Sequence, residues 1–550
     1  MKSITTMKRI LLIGALLPFF GLQAQEEKPF ETPKLVVGIV VDQMRFDYLT
    51  RFWDRYSDDG FKRMVNKGFN AKNHHFNYIP TATGPGHASV YTGTTPSIHG
   101  ILGNNWYDKF AQEMVYCAGD ENYPALGTEN KQGMAPTRML TTTITDQLRI
   151  HYQFRSKVIA MSIKDRGAVL PGGHSANAAY WFEGGSTGDW ISSTYYMDEL
   201  PDWVQKFNRS KAVERYKKTW KTLEPVDTYI ESGSDRNAYE GLSKGETHSG
   251  FPHEIDKVWD ENGRFSSLAA TPFGNSILTD FALEAIENEE LGADSTPDFL
   301  AISYSSTDYV GHKYGVNSVE VQDTYMRLDL ELTRLFNYLD QQVGEGEYLV
   351  FLTADHGAVH VPAFLSDHKI PSGYVDNSAM ANVLNKMVVE RYGQSDLIEK
   401  LNYNELFLNH GLIKELGLDL RTVRENIADM VIQLDYVEQV FTAHELERLG
   451  TADRIKELVR NGHNAKRSGD IIFTMQPAYI SYSRTGSTHG SPHIYDTHVP
   501  LLFYGTGIPE GSSTPERTEI PDIAPTLAVL LGVGMPNGTT GTPIEDLIED

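Results

Sequence analysis

The sequence predicts an α/β fold with a mostly parallel central sheet, flanked by helices and capped by insertions. Three observations carry the prediction. Apolar runs of strand length recur along the chain, at residues 34–41 (KLVVGIVV), 157–163 (KVIAMSI), 299–305 (FLAISYS), 348–354 (YLVFLTA) and 499–504 (VPLLFY). Helical patterns lie between them, which is the alternation expected of parallel strands joined by crossover helices. Several of the runs lead into aspartate and histidine, and an open α/β sheet binds its ligands outside the carboxyl ends of its strands.

The run at 34–41 is apolar at nearly every position and reads as a strand buried on both faces. Downstream, Pro80-Thr81-Ala82-Thr83-Gly84-Pro85-Gly86 forms a glycine-flanked turn that opens into the helical pattern HASVYTG. Pro85 near the first helical position marks the helix start. The strand at 157–163 runs directly into Lys164-Asp165-Arg166-Gly167. After the strand at 299–305, Asn317 followed by Glu320 fits a capping box. Val321, Tyr325, Leu328, Leu332, Leu335 and Leu339 then recur at spacings of three and four, which gives one apolar helix face. That helix returns to the strand at 348–354 and completes a βαβ unit. Residues 171–275 are rich in Trp, Tyr, Gly and Ser, and residues 370–480 carry several helical patterns, including 412–430. Both read as insertions that shape access to the sheet or simply pack on it. No internal repeat or low-complexity tract is present.

Residues 1–24 combine a basic start (Lys2, Lys8, Arg9), a short apolar run and the cleavage-like ending Leu22-Gln23-Ala24, the pattern of a signal peptide. No other segment is apolar over a membrane-spanning length. The expected product is one catalytic domain over residues 25–550, periplasmic or secreted, without a membrane anchor. Cys117 is the sole cysteine, so an intrachain disulfide and a thiolate cluster are excluded, and any metal must be held by His, Asp and Glu. Loss of Lys2, Lys8 and Arg9 with the leader takes the formal charge from −24 to −27. That excludes duplex nucleic acid as a general partner. An anionic substrate would need a local positive focus such as metal ions.

Candidate ligands sit past four strand ends or strand approaches: Asp42; Asp308 and His312; Asp355 and His356; and His489, before the last strand. Singly, each reads as a loop acid, a turn or a helix-start pair. Together, three Asp and three His divide into two oxygen- and nitrogen-ligand sites suited to zinc. Asp308, His312 and His489 would hold one ion; Asp42, Asp355 and His356 the other. Thr83 at the positive end of a helix is placed to favour an alkoxide and a phosphate oxygen. The same stretch read alone makes Thr83 an ordinary N-cap. Lys164 and Arg166 could both reach a phosphoryl group, or belong to a solvated loop paired with Asp165.

The set Asp42, Thr83, Asp308-x3-His312, Asp355-His356 and His489, with Asn104 in Gly103-Asn104-Asn105-Trp106 and the Lys164-x-Arg166 pair, resembles the alkaline phosphatase superfamily. It is most similar to the secreted, phosphate-irrepressible bacterial branch related to nucleotide pyrophosphatase/phosphodiesterases. The resemblance runs from residue 34 to the chain end. It implies an alkaline-phosphatase-like fold and two Zn²⁺, with Thr83 Oγ joining Asp42, Asp355 and His356 around one of them. It further implies a phosphothreonine intermediate and small-molecule phosphate monoesters, over a broad range, as substrates. Asn104, Lys164 and Arg166 match the monoesterase contacts to the phosphoryl oxygens; diesterase relatives keep the Asn and lack the Lys-x-Arg pair. The alternatives are a phosphodiesterase or nucleotide pyrophosphatase, and a non-catalytic zinc or phosphate binder on the same fold. His74, His75, His87, His174, His493 and His498 are not expected among the ligands, although His87 and His498 could orient them.

Overall fold

A computed structural model describes residues 31–130, 132–447 and 453–548. The leader expected over residues 1–24 lies outside them. Ten strands form the central sheet: β1 (Leu35–Val41), β2 (Phe69–His75), β3 (Ala125–Leu126), β4 (Val158–Ser162), β5 (Ala178–Glu183), β6 (Asp189–Ser193), β7 (Asp298–Tyr304), β8 (Tyr348–Thr353), β9 (Leu501–Gly505) and β10 (Ser512–Glu519). Their order is β10-β2-β9-β8-β1-β7-β4-β5-β6-β3. The middle five, β8-β1-β7-β4-β5, are mutually parallel. β9 and β6 run against their neighbours. Every residue of β1, β7 and β8 is buried, which is why these strands read as unbroken apolar runs rather than alternating ones. β1 lies between β8 and β7 with Leu35 opposite both Tyr348 and Asp298, so the three strands end level with one another.

Four helices bear on the site: α1 (Thr83–Thr92), α2 (Asp165–Gly172), α3 (Ser306–Tyr314) and α4 (Val319–Leu339). α4 buries all six residues of its predicted apolar face. Its cap differs from expectation by one residue: the Ser318 hydroxyl accepts from Val321 N at 3.1 Å. Asn317 instead bridges Arg51 and His360, and Glu320 is buried against His253 at 2.9 Å. The local capping signal was real, but tertiary partners claimed two of its residues.

Residues 171–275 do more than cap the sheet, since they supply β5 and β6. The rest of this segment packs on the sheet edge and on α4. Within β6, Trp190 stacks on Phe281 at 4.3 Å; further along the segment, Trp220 donates to Asp323 of α4 at 2.7 Å. Residues 370–480 contain a second, antiparallel sheet, in the order Ile398–Asn402, Glu405–Leu408, Ile471–Met475, Val437–Thr442. Helices Asn377–Tyr392 and Leu420–Val431 cover it, with Leu384, Val388, Ile427 and Phe473 in a small core of their own. The helical pattern at 412–430 is two helices, His410–Glu415 and Leu420–Val431, parted by Gly417 at φ +67°. Among the described residues, no helix is long and apolar enough to cross a membrane.

Candidate active site

The level ends of β1, β7 and β8 decide where the chemistry gathers. Asp42 comes directly after β1. β7 turns into α3, where Asp308 and His312 lie one helical turn apart and so share a face. β8 runs into Asp355 and His356. β9 is antiparallel to β8, so the segment entering it, which carries His489, arrives at the same rim.

Two groups of ligand atoms result: Asp308, His312 and His489, and Asp42, Asp355 and His356, each with its atoms within 4.8 Å of one another. His312 Nε2 is 3.2 Å and His489 Nε2 3.7 Å from Asp308 Oδ1. His356 Nε2 is 3.5 Å from both Asp42 Oδ1 and Asp355 Oδ2. Asp42, Asp355 and His356 are fully buried, and among the described residues Asp42 Oδ1, Asp355 Oδ2 and His356 Nε2 have no hydrogen-bond partner. Three converging buried acceptors left unpaired are costly unless something satisfies them, and a cation suits all three.

The imidazoles are set for this. Nδ1 of His312 lies 2.7 Å from Ser487 O, that of His356 2.9 Å from Gly357 O, and that of His489 2.7 Å from Thr81 O. A carbonyl can only accept, so each Nδ1 carries the proton and each Nε2 presents a lone pair inward. Burial lowers the His356 pKa to about 4. Burial, with His356 beside it, pushes His489 well below its usual range. Both therefore stay neutral and able to ligate. Burial, then the charge of Asp42, drives Asp355 well above the usual carboxylate range, the signature of crowded carboxylates short of positive charge.

Lys164 supplies part of that charge. Its Nζ lies 2.6 Å from Asp42 Oδ2, 2.6 Å from Asp308 Oδ2 and 3.4 Å from Thr83 Oγ1. Burial opposes the ammonium, yet Asp308 and Asp42 outweigh it and raise the pKa. Lys164 is thus a buried bridge between the two groups, not part of a solvated loop. Arg166 points elsewhere: its Nη1 contacts Tyr116 Oη at 3.2 Å, and Tyr116 in turn donates to Asp165. The structure brings Lys164 to Thr83 and leaves Arg166 on Tyr116.

Thr83 is the first residue of α1, while the N-cap position falls on extended Ala82 with no side-chain cap bond. The N-cap reading of Thr83 therefore fails, and its hydroxyl, on a residue only 1% exposed, is free for other use. The helix start offers fewer free N–H groups than expected: Pro85 has none, and Gly84 N donates to Asn104 Oδ1 at 2.8 Å. That bond fixes Asn104, and among the described residues its Nδ2 has no hydrogen-bond acceptor. Gly86 lets α1 approach the metal-side loop, because a Cβ there would lie 2.4 Å from Asp355 O.

His87 is buried, with Nδ1 2.9 Å from Thr83 O and 3.4 Å from Asp355 Oδ2, and Nε2 2.8 Å from Ser303 Oγ. His498 does not orient a ligand. It stacks with Phe46 and His75 and contacts Lys72 O, held there by the pairing of His75 with His498 at the sheet edge.

Gln43 was not singled out in the sequence. Its Nε2 donates to Asp308 Oδ1 at 2.5 Å and its N to Asp355 Oδ1 at 3.1 Å, linking the two groups. It does so at φ +65°, a conformation that costs free energy in a non-glycine residue and concentrates at functional sites. Its adjacency to Asp42 was the only signal. Tyr116, which orients Asp165 and Arg166, gave none.

Fold and site define a class: an α/β enzyme whose strand-end rim carries two Asp/His groups astride a helix-start hydroxyl. The chain is a member of the alkaline phosphatase superfamily and belongs to the Type I phosphodiesterase / nucleotide pyrophosphatase family, whose model matches residues 36–498. It is 45% identical to a protein of Myroides odoratus named calcium-transporting ATPase, over 98% of this chain and 99% of that one. It is 43% identical to alkaline phosphatase PhoV of Synechococcus elongatus, over 94% of this chain and 93% of the relative. The crystal structure of wild-type alkaline phosphatase PafA superposes with a TM-score of 0.90 at 40% identity, covering 95% of this chain and all of that one.

Proposed function

We propose that this chain hydrolyses phosphate monoesters to an alcohol and inorganic phosphate, with Thr83 as nucleophile and a phosphothreonine intermediate. One observation carries the reading: a buried threonine hydroxyl at a helix start, 3.4 Å from Lys164 Nζ, beside two converging Asp/His groups, of which the Asp42 group holds three buried acceptors without a hydrogen-bond partner among the described residues. Asp42, Asp355, His356 and Thr83 Oγ would hold one zinc, and Asp308, His312 and His489 the other. Bound there, the pair supplies Lewis-acid charge that ionises a hydroxyl near neutral pH and neutralises a leaving oxygen.

The chain's own groups do the rest. Thr83 Oγ1 bonds to phosphorus in line with the departing alkoxide, which leaves as the alcohol; water then displaces Thr83 and frees phosphate. Asn104 Nδ2 and Lys164 Nζ bind phosphoryl oxygens as charge shifts onto them. Arg166 joins them after leaving Tyr116. His87 holds the first turn of α1 through Thr83 O. The family description favours a second reading, a phosphodiesterase or nucleotide pyrophosphatase. The leader-like sequence pattern of residues 1–24 supports a periplasmic or secreted location.

The test is turnover of an aryl phosphate and a matched aryl phosphodiester by the purified, zinc-loaded mature protein, with metal analysis. Thr83→Ala is expected to abolish turnover while keeping about two zinc ions per chain. Full turnover by Thr83→Ala, or a dominant diesterase activity, refutes the proposal.

A further inference from the structure

The cavity over the site has room for more than the reacting group. It measures about 510 Å³, within the range of pockets that enclose a small organic ligand. A phosphoryl group fills the space of two or three waters, at about 30 Å³ each. The cavity floor includes Asn104, His312 and His489, so its remaining volume is continuous with the place where an alcohol would depart.

Much of the far wall comes from residues 370–480. The hairpin of Ile398–Asn402 and Glu405–Leu408 turns at Tyr403-Asn404, with Tyr403 at φ +49°. Such a backbone is uncommon outside glycine and thrusts the tyrosine over the Asn104 loop. A Cβ on Gly103 would lie 3.2 Å from the Tyr403 ring, so the ring sits directly against that loop. The ring lines the cavity, yet Tyr403 remains 43% exposed, an aromatic surface held in place and left uncovered. Trp106, Leu102 and Ile472 add further apolar lining. Among the described residues, no Lys or Arg lines this cavity, whereas Glu405 and Asp496 do. Burial raises the Glu405 pKa to about 7, so it is ionised at alkaline pH.

We infer that this cavity is a leaving-group subsite for uncharged alcohols bearing a planar ring, with Tyr403 as the specificity-determining side chain, and that its acidic wall selects against anionic leaving groups. A ring can stack on Tyr403, while a polyphosphate leaving group would meet two carboxylates and no Lys or Arg in the lining. The inference rests on the monoesterase reading above.

The experiment uses the zinc-loaded mature protein and its Tyr403→Ala, Tyr403→Phe and Glu405→Gln variants on phenyl phosphate, ethyl phosphate and ATP. The unmodified protein is expected to favour phenyl phosphate over ATP in kcat/KM, although ADP is the better leaving group. Tyr403→Ala is expected to lose about three- to tenfold more on phenyl than on ethyl phosphate, the worth of one aromatic pair; Tyr403→Phe keeps the ring and the preference. Glu405→Gln is expected to narrow the phenyl-to-ATP gap by a similar factor of about three to ten. Calorimetric binding of phenylphosphonate and ethylphosphonate provides a readout without turnover, in which Tyr403→Ala erases the preference for the phenyl compound. Equal losses on both esters, or phosphonate affinities blind to the ring, overturn the subsite. Release of no phosphate from any ester, with ring-selective phosphonate binding intact, supports the subsite and counts against the monoesterase reading.

Discussion

Lys164→Met removes an ammonium from between two buried carboxylates, and its effect is expected to depend on metal. Each 2.6 Å contact, to Asp42 and to Asp308, is worth about 6 kcal/mol in gross Coulomb terms at an effective dielectric of about 20. Desolvation of the three groups cancels much of that. Breaking a buried pair and stranding its partner costs about 3–5 kcal/mol net, and we expect that loss in metal-stripped protein. Zinc bound at the two Asp/His groups would neutralise the same carboxylates, so the loss in zinc-loaded protein is expected to shrink to about 1 kcal/mol, the worth of an ordinary hydrogen bond. The assay is denaturant unfolding of both proteins in chelator and in excess zinc, read as the shift in midpoint. An identical shift in the two media would mean that Lys164 and the cations do not share partners, and the site as described would be wrong.

Three further outcomes are expected from the same geometry. His99 is buried, with Nδ1 accepting from Ile101 N and Nε2 beside Ser89 Oγ; burial, helped by Arg467, lowers its pKa to about 3. Its folded value lies below the unfolded value of about 6.5, so its stability contribution is complete above that pH and is lost toward pH 3 at about 1.4 kcal/mol per pH unit. Acid unfolding of His99→Gln should show a shallower pH dependence, and an unchanged slope refutes the assignment. Gly86→Ala drives a Cβ into Asp355 O and is expected to cost about 1–3 kcal/mol and to weaken zinc retention. Gly411→Ala, whose Cβ would meet only Asn409 Oδ1 at 3.4 Å, serves as the benign control in the same thermal melts. Asp496 accepts from Ser491 N and Oγ at 2.8 and 2.6 Å, and the neighbouring Gly490 N donates to Thr81 Oγ1, whose residue's carbonyl orients His489. Asp496→Ala should weaken zinc binding about 10–100-fold by titration, a typical effect of losing such support, and Asp496→Asn, which can still accept, should restore most of it.

The central strands were legible because burial on both faces leaves no polar alternation to blur them, so Val36 to Val41 and Leu349 to Leu352 read as continuous apolar runs. The convergence of Asp42, Asp308, Asp355 and His356 was legible for a related reason: level parallel strands deliver the residues at their carboxyl ends to one rim. The sheet in residues 370–480 was missed. Ile398–Asn402 has no fully buried residue and Val437–Thr442 only three, so neither shows the strong pattern that sequence periodicity detects. Gln43 escaped notice because its role depends on a single left-handed backbone angle. Tyr116 escaped because its partners, Asp165 and Arg166, are some fifty positions away. The place of Arg166 was likewise hidden, since a long flexible side chain can reach either neighbour and only the fold decides between them.

The six acid and imidazole side chains come from residues 42 to 489, with Thr83, the proposed nucleophile, near the beginning. A chain still emerging, or clipped before residue 489, lacks at least one ligand of the Asp308 group however well its sheet has formed. Cation binding therefore reports on completion of the whole molecule, and any affinity gained there resists global unfolding rather than local fraying. The ambient supply of the metal thus bears on how long the protein survives proteases as well as on how fast it turns over.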